Sequence, residues 1–338
     1  MTYTASNGME SEFRREIVSG DWVLIAAGRG MRPHAVKPRE SNYQSPADCP
    51  FEDPQKSGNS EAVMVVPEGS NEWRIQVVKN KYPAVVPGAC GPIMEREGFE
   101  VTAGVGFHEI IVMRDHDKFF PSFSPEETAQ VLQVYRDRYR QIALEPCGQY
   151  IMIFHNYGHR GGASVYHPHS QIISVPIIPP DVMRSVKGSY DYFKKNGREA
   201  HAVMVEYELA NKKRILFENE QFVAFCPFVS KQPYEMRIYP KFSSAHFDHI
   251  EDQSLVPLGE ALNTVLKKMR DALDDPAYNF FIHTAPLHFE HSDLSFDQYY
   301  RWHIEVIPRV SFDAGFEAGT GIKINIIDPD VAAQTLNG

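Results

Sequence analysis

The sequence predicts an α+β chain made of two similar halves, each an antiparallel sheet with helices packed against it. One succession of strand and helix signals runs twice along the chain. Two long segments carry apolar residues at the helical period. The runs flanking them are short, rich in β-branched residues and punctuated by Gly, Pro and Asn, which suits antiparallel strands better than a βαβ series.

The first succession reads WRIQVV, NKYPAVV, HEIIVMRDHDKFFPSFS, a helical SPEETAQVLQVYRDRYRQIA, an apolar YIMIFHN, a polar loop, and HPHSQIISVP. The second reads ILFENEQFVAF, YEMRIYPKFSSAHFDHI, a helical LVPLGEALNTVLKKMRDAL, NFFIHTAP, a polar loop, and RWHIEVIP. Leu132, Tyr135, Tyr139 and Ile142 share one face of the first helix. Leu258, Leu262, Val265, Met269 and Leu273 share one face of the second. Ser124, with Pro125 next and Glu127 three residues on, predicts a capping-box start. The halves are expected to span residues 1–185 and 186–338. Aligned on their last strands, they set His303 opposite His167 and Glu305 opposite His169, which leaves the full histidine set to the first half.

Composition bounds the function. The 338 residues, 43% hydrophobic and 23% charged, exclude a disordered or collagen-like chain. With 34 Lys+Arg against 44 Asp+Glu the net charge is -10, which repels nucleic acid and anionic lipid. Neither is an expected partner, although a small phosphate ligand needs only local Arg or Lys. The N-terminal MTYTASNGMESEF lacks the apolar core of a signal peptide, and no run approaches the roughly 18 apolar residues of a membrane span. Cys49, Cys90, Cys147 and Cys226 form no C-x-x-C pair, so they read as free thiols or isolated ligands in a reducing compartment, the cytoplasm. The excess is in histidine, with 14 residues. Histidine titrates near neutrality and is the commonest metal ligand.

The densest cluster is HNYGHRGGASVYHPHSQ, residues 155–171, set between two apolar strands. Gly158, Gly161 and Gly162 let the backbone approach a ligand closely, and Ser164 adds a hydroxyl donor. His167, His169 and Gln171 alternate along the start of a strand and so share a face. No G-K-[ST] follows and no helix begins there, which excludes a Walker loop and a dinucleotide fingerprint.

On these residues the sequence resembles the galactose-1-phosphate uridylyltransferases of the histidine-triad superfamily. Asn156, Gly158, Gly162, Ala163, Ser164, His167, Pro168, His169 and Gln171 meet their signature. FRREIVSGDWVLIAAGRGMRP, NKYPAVVPG and FEAGTGIKINIIDPD extend the likeness over nearly the whole chain. The resemblance implies a duplicated histidine-triad-like fold and a ping-pong reaction in cytoplasmic galactose metabolism. His169 attacks the α-phosphorus of UDP-glucose, holds UMP covalently, and passes it to galactose 1-phosphate. The partners are then a nucleotide sugar and a sugar 1-phosphate. A backbone carbonyl in the H-P-H turn is expected to fix the other ring nitrogen of His169. Gln171 and Ser164 are expected to donate to phosphoryl oxygens, and Arg29 and Arg32 to bind the sugar phosphate. Asn80 and Tyr82 would frame base and ribose. Gly315, Phe316, Glu317 and Lys323 would reach the neighbouring active site of a homodimer.

The family's zinc is held by a C-x-x-C pair, a downstream histidine and the first histidine of H-P-H. Cys49, His116 and His167 match, and Glu52 replaces the second cysteine, which zinc accepts. Such a metal is expected to be structural. A second metal is not expected: His283, His303 and Glu305 match another site of some relatives only in part, and Ser185 stands where they have a carboxylate. Lys81 stands where the uridylyltransferases have an acidic residue near the ribose, Lys323 falls near a glutamine they use on the hexose, and FEAGTGIKIN resembles the ADP-glucose phosphorylase branch. The alternative is therefore a phosphorylase or adenylyltransferase acting on ADP-glucose or a dinucleoside polyphosphate through the same histidine. A nucleotide hydrolase and a non-catalytic nucleotide binder complete the readings.

Overall fold

The computed structural model describes residues 11–31, 43–70, 72–289 and 293–338. The first half runs β1 (Glu12–Arg15), β2 (Trp22–Ile25), β3 (Met64–Val66), β4 (Ile75–Lys79), β5 (Met94–Arg96), β6 (Phe99–Val101), β7 (His108–Met113), α1 (Pro125–Ala143), β8 (Tyr150–Tyr157) and β9 (His169–Val175). The helices α2 (Pro180–Asn196) and α3 (Ala200–Asn211) follow. The second half runs β10 (Ile215–Glu218), β11 (Phe222–Phe225), β12 (Met236–Pro240), α4 (Asp252–Ala272), β13 (Tyr278–His283), β14 (His303–Pro308), α5 (Gly315–Thr320), β15 (Lys323–Asn325) and α6 (Pro329–Asn337).

Ten strands form one sheet in the order β10-β11-β12-β14-β13-β8-β9-β7-β4-β3. Read outward from the centre, β8-β9-β7-β4-β3 repeats as β13-β14-β12-β11-β10, so the duplication is also a spatial one. The halves join where β8 and β13 pair antiparallel, with Asn156 opposite Asn279 and Phe154 opposite Phe281. A smaller sheet, β1-β2-β15, ties the two ends of the described chain together, β15 running parallel to β2.

Both predicted helices form and lie side by side on one face of the large sheet, their stripes merged in a single core with Ile111, Ile153, Ile172, Phe280 and Ile304. Ser124 Oγ accepts the Glu127 N–H (3.2 Å) and the Glu127 carboxylate accepts the Ser124 N–H (2.7 Å), closing the expected capping box. The contact is backbone-close at Gly259, where a Cβ would stand 2.4 Å from the Pro125 carbonyl oxygen.

Because strand side chains alternate, the helix-facing set on β9 decides where its histidine goes. Ser170 faces the helices, accepting the Tyr135 hydroxyl at 2.5 Å, so His169 and Gln171 point to the opposite face. On that face α2 packs Val182 and Val186 with Tyr150, Ala285, Tyr299 and Tyr300, residues of both halves. The expected boundary at residues 185 and 186 falls inside this helix. No helix among the described residues is long and apolar enough to cross a membrane.

The reading of four unpaired cysteines is corrected for two of them. Cys90 and Cys147 form a disulfide, their Cα atoms 5.3 Å apart across 57 residues. The segment between β4 and β7 crosses the α1–β8 turn, a meeting that sequence spacing does not encode. Cys49 and Cys226 are free and buried.

Gly259→Ala is expected to destabilise the fold. Alanine is the better helix former by roughly 1 kcal/mol, but forcing a methyl into this contact costs about 1–3 kcal/mol. Urea denaturation gives the sign, and a variant more stable than its parent would refute the close seating of α4 on α1.

Candidate active site

His169 opens β9, its backbone paired with Val112 of β7. Pro168 holds the preceding turn at a fixed φ, and this turn brings the His169 ring back over its own backbone. Nδ1 lies 2.8 Å from the His167 carbonyl oxygen. A carbonyl only accepts, so Nδ1 carries the proton and Nε2 keeps its lone pair. This is the bond expected of the H-P-H turn. The ring is buried, 6% exposed, with Phe51 edge-on at 5.0 Å between centroids. Burial lowers its pKa, so the imidazole is neutral at neutral pH and able to act as a nucleophile.

The glycine loop stands between β8 and this strand. Ala163 N–H donates to the Gly158 carbonyl (3.1 Å) and Gly162 N–H to that of His159 (2.9 Å). Gly161 runs so close to β13 that a Cβ would stand 2.8 Å from the Tyr278 carbonyl oxygen. Asn279 of β13 donates through Nδ2 to Asn156 Oδ1 and to the Gly161 carbonyl, both at 2.6 Å, and accepts from Arg309. The second half thus braces the loop. Asn279 and Arg309 are site neighbours that motif reading missed, since their role depends on the β8–β13 pairing. Ser164 is exposed at the end of the loop.

Gln171 follows on the same face, its Oε1 2.8 Å from His108 Nε2. Asn80 lies beside this pair, its Nδ2 3.1 Å from the same ring nitrogen, and its Oδ1 accepts the Tyr82 N–H at 2.9 Å. Tyr82 is 83% exposed. His108 was the other neighbour missed; no motif marked it.

The four expected metal ligands converge. His167 precedes β9 and turns its ring away from the strand face, towards His116, which corrects the placing of all three polar groups on one face. The Nδ1 atoms of His116 and His167 are 3.1 Å apart. Their Nε2 atoms meet the carbonyls of Gln44 (2.7 Å) and Met113 (2.6 Å) and so carry the protons. Glu52 Oε1 lies 3.0 Å from one Nδ1 and 3.4 Å from the other, buried and without a hydrogen bond. The Cys49 sulfur, with the two histidine nitrogens, lies within a 4.8 Å cluster. Burial pushes His167 down to about 4, so its ring is neutral at neutral pH and its Nδ1 offers a lone pair here. The donor set, two imidazoles, a carboxylate and a thiol, suits zinc.

Other expected residues lie elsewhere. Arg29 is exposed in the short turn Ala27–Met31, and Arg32 lies outside the described residues. Glu317 sits on exposed α5, its carboxylate accepting the Ala314 N–H at 3.0 Å. Lys323 pairs with Asp313 and lines a cavity of about 250 Å³ with His283, His303, Glu305, Arg237 and Ser185. This cavity is the second half's counterpart of the His169 site. His303 opens β14 as His169 opens β9, and its Nδ1 meets the Arg301 carbonyl at 3.2 Å. The structure therefore corrects the alignment: His303 matches His169 and Glu305 matches Gln171. Strand register decides the match, and the loops before the two strands differ in length. Glu305 lies 3.6 Å from Arg237 and 3.5 Å from His283.

A buried neutral imidazole with one nitrogen anchored and the other free, beside a glycine loop, is a site for covalent transfer of a phosphoryl-type group. The family described as galactose-1-phosphate uridyl transferase, N-terminal domain, matches residues 1–179, and a domain of unknown function matches residues 105–336. The chain belongs to the galactose-1-phosphate uridylyltransferase family of nucleotidyltransferases. It is 33% identical to an ADP-glucose phosphorylase of Arabidopsis thaliana, over 96% of this chain and 92% of that protein. A galactose-1-phosphate uridylyltransferase of Thermotoga maritima is 25% identical over 96% and 97%. The crystal structure of an Arabidopsis thaliana ADP-glucose phosphorylase with bound ADP-glucose superposes with a TM-score of 0.83, at 30% identity, covering 97% of this chain and 98% of that one. A uridylyltransferase structure gives 0.73 at 26% identity, covering 96% and 97%.

Elemental analysis of the purified chain is expected to find one zinc per molecule. Cys49→Ala should lose most of it and lower the thermal midpoint. Equal zinc in variant and parent, or none in a parent grown with zinc, would refute the site.

Proposed function

We propose that the chain moves UMP from UDP-glucose to a hexose 1-phosphate, galactose 1-phosphate in the first instance, by a ping-pong reaction through His169. The observation that carries this reading is the Nδ1 bond to the His167 carbonyl (2.8 Å), which presents Nε2 as the nucleophile. In the first half-reaction a bond forms between Nε2 and the α-phosphorus while the bond to glucose 1-phosphate breaks. In the second, a phosphate oxygen of the acceptor attacks the same phosphorus and the P–N bond breaks. The proton stays on Nδ1, donated in a hydrogen bond to the His167 carbonyl throughout, so no external base is needed.

Gln171 and Ser164 donate to the phosphoryl oxygens, Asn156 and Gly162 shape the loop around them, and Asn80 and Tyr82 frame the nucleoside. Arg29 and Arg32 supply the local positive charge that a chain of net charge -10 needs for a dianion. Zinc, when bound by Cys49, Glu52, His116 and His167, is structural and pins the segment bearing Cys49 to the turn before His169. A homodimer brings Glu317 and Lys323 of one copy to the hexose of the other. The exposed aromatic rings of Phe312 and Phe316 beside Glu317 support a covered surface there. The enzyme works in the cytoplasm.

A second reading, ADP-glucose phosphorolysis through the same histidine, is favoured by one observation. The ADP-glucose phosphorylase is 33% identical to this chain, against 25% for the Thermotoga maritima uridylyltransferase.

Brief incubation with UDP-glucose, and separately with ADP-glucose, is expected to add a nucleotidyl mass to the parent and none to His169→Ala. Turnover of the variant should fall by about 10⁴-fold or more. A labelled His169→Ala would sink the nucleophile assignment. Turnover confined to ADP-glucose plus inorganic phosphate would sink the uridylyl reading in favour of the second.

A further inference from the structure

We propose that His108 is a positioning residue: it holds the Gln171 amide so that its N–H groups face the phosphoryl group transferred to His169. The proposal rests on the reading of His169 as a nucleotidyl carrier.

His108 opens β7, the strand lying between β4 and β9, and is half-buried. The backbone N–H of Ala84 donates to its Nδ1 at 3.0 Å. A backbone amide cannot reverse its role, so Nδ1 is the unprotonated nitrogen and Nε2 carries the hydrogen. That N–H lies 2.8 Å from Gln171 Oε1. A donor there can be met only by the amide oxygen, so the side-chain NH₂ of Gln171 is turned the other way, on the strand face it shares with His169. Among the described residues no acceptor is recorded for that NH₂. Without His108 the amide could rotate by half a turn and present its oxygen to an anionic phosphoryl group, where a donor is needed.

The neighbouring amide is set by the same backbone logic. Asn80 Oδ1 accepts the Tyr82 N–H at 2.9 Å, so its NH₂ faces His108 Nε2 at 3.1 Å; with the hydrogen on Nε2 these are two donors in contact and make no hydrogen bond, and Gln171 Oε1 is the acceptor of that N–H. Asn80 N–H donates to the His108 carbonyl at 2.9 Å. One backbone hydrogen bond, from Ala84, thereby fixes the His108 tautomer and through it Gln171. Ala84 belongs to the segment NKYPAVV, next to the exposed Tyr82, so the orientation of Gln171 depends on where that segment lies.

Two substitutions separate positioning from bulk. His108→Gln keeps a donor at the place of Nε2. His108→Asn keeps an acceptor at the place of Nδ1 and loses the donor. Single-turnover labelling of His169 by UDP-glucose or ADP-glucose should slow by about 10- to 100-fold in His108→Asn, with nucleotide-sugar affinity little changed. His108→Gln should recover most of the rate. In a double-variant cycle, His108→Asn should add nothing to Gln171→Ala. Labelling of His108→Asn at the parent rate, or losses that add in the double variant, would overturn the proposal. If the parent itself takes up no label, the reading of His169 fails instead. The Gln171 orientation is then read from neutron structures of the parent and of His108→Asn, which locate the amide hydrogens: an amide that keeps its orientation without the ring overturns the proposal, and one that turns supports it.

Discussion

The site depends on one hydrogen bond, from His169 Nδ1 to the carbonyl of His167, two residues back. It decides which ring nitrogen is free, and it exists because Pro168 fixes the turn at the mouth of β9. The sheet supplies the rest of the constraint. With Ser170 turned to the helices, His169 has one face available and Gln171 must share it. Burial then keeps the ring neutral, and a neutral imidazole is the nucleophilic form.

The second half makes the same bond at His303 and has a different pocket. Glu305 stands in the place of Gln171, and Arg237 lies against that carboxylate. An anionic phosphoryl group that a neutral amide could bind would meet a carboxylate there. Duplication therefore preserved the strand geometry, which is set by packing, while the chemistry of the two faces diverged. The second half is still part of the first site: Asn279 braces Asn156 and the glycine loop across the β8–β13 seam, and Gly161 passes too close to that strand to carry a side chain.

The convergence of Cys49, Glu52, His116 and His167 links the same turn to the N-terminal segment. Each histidine donates its Nε2 proton to a backbone carbonyl, leaving two lone pairs, a buried carboxylate oxygen and a thiol directed at one point. A shared cation would satisfy all four groups at once, which is the ground for proposing them as ligands.

The sequence by itself determined the duplicated α+β fold, both helix faces and the Ser124 cap. All of these follow from periodicity or from residues within a few positions of one another. Ligand types at Cys49, Glu52, His116 and His167 were also legible, through resemblance to a family. Tertiary structure alone decided the Cys90–Cys147 pairing, the match of His303 to His169, the bracing by Asn279 and Arg309, and the contact of His108 with Gln171. The physical reason is common to them: each rests on strand register or on a loop crossing that joins residues far apart in the chain, and spacing along the sequence carries no distance information across a sheet.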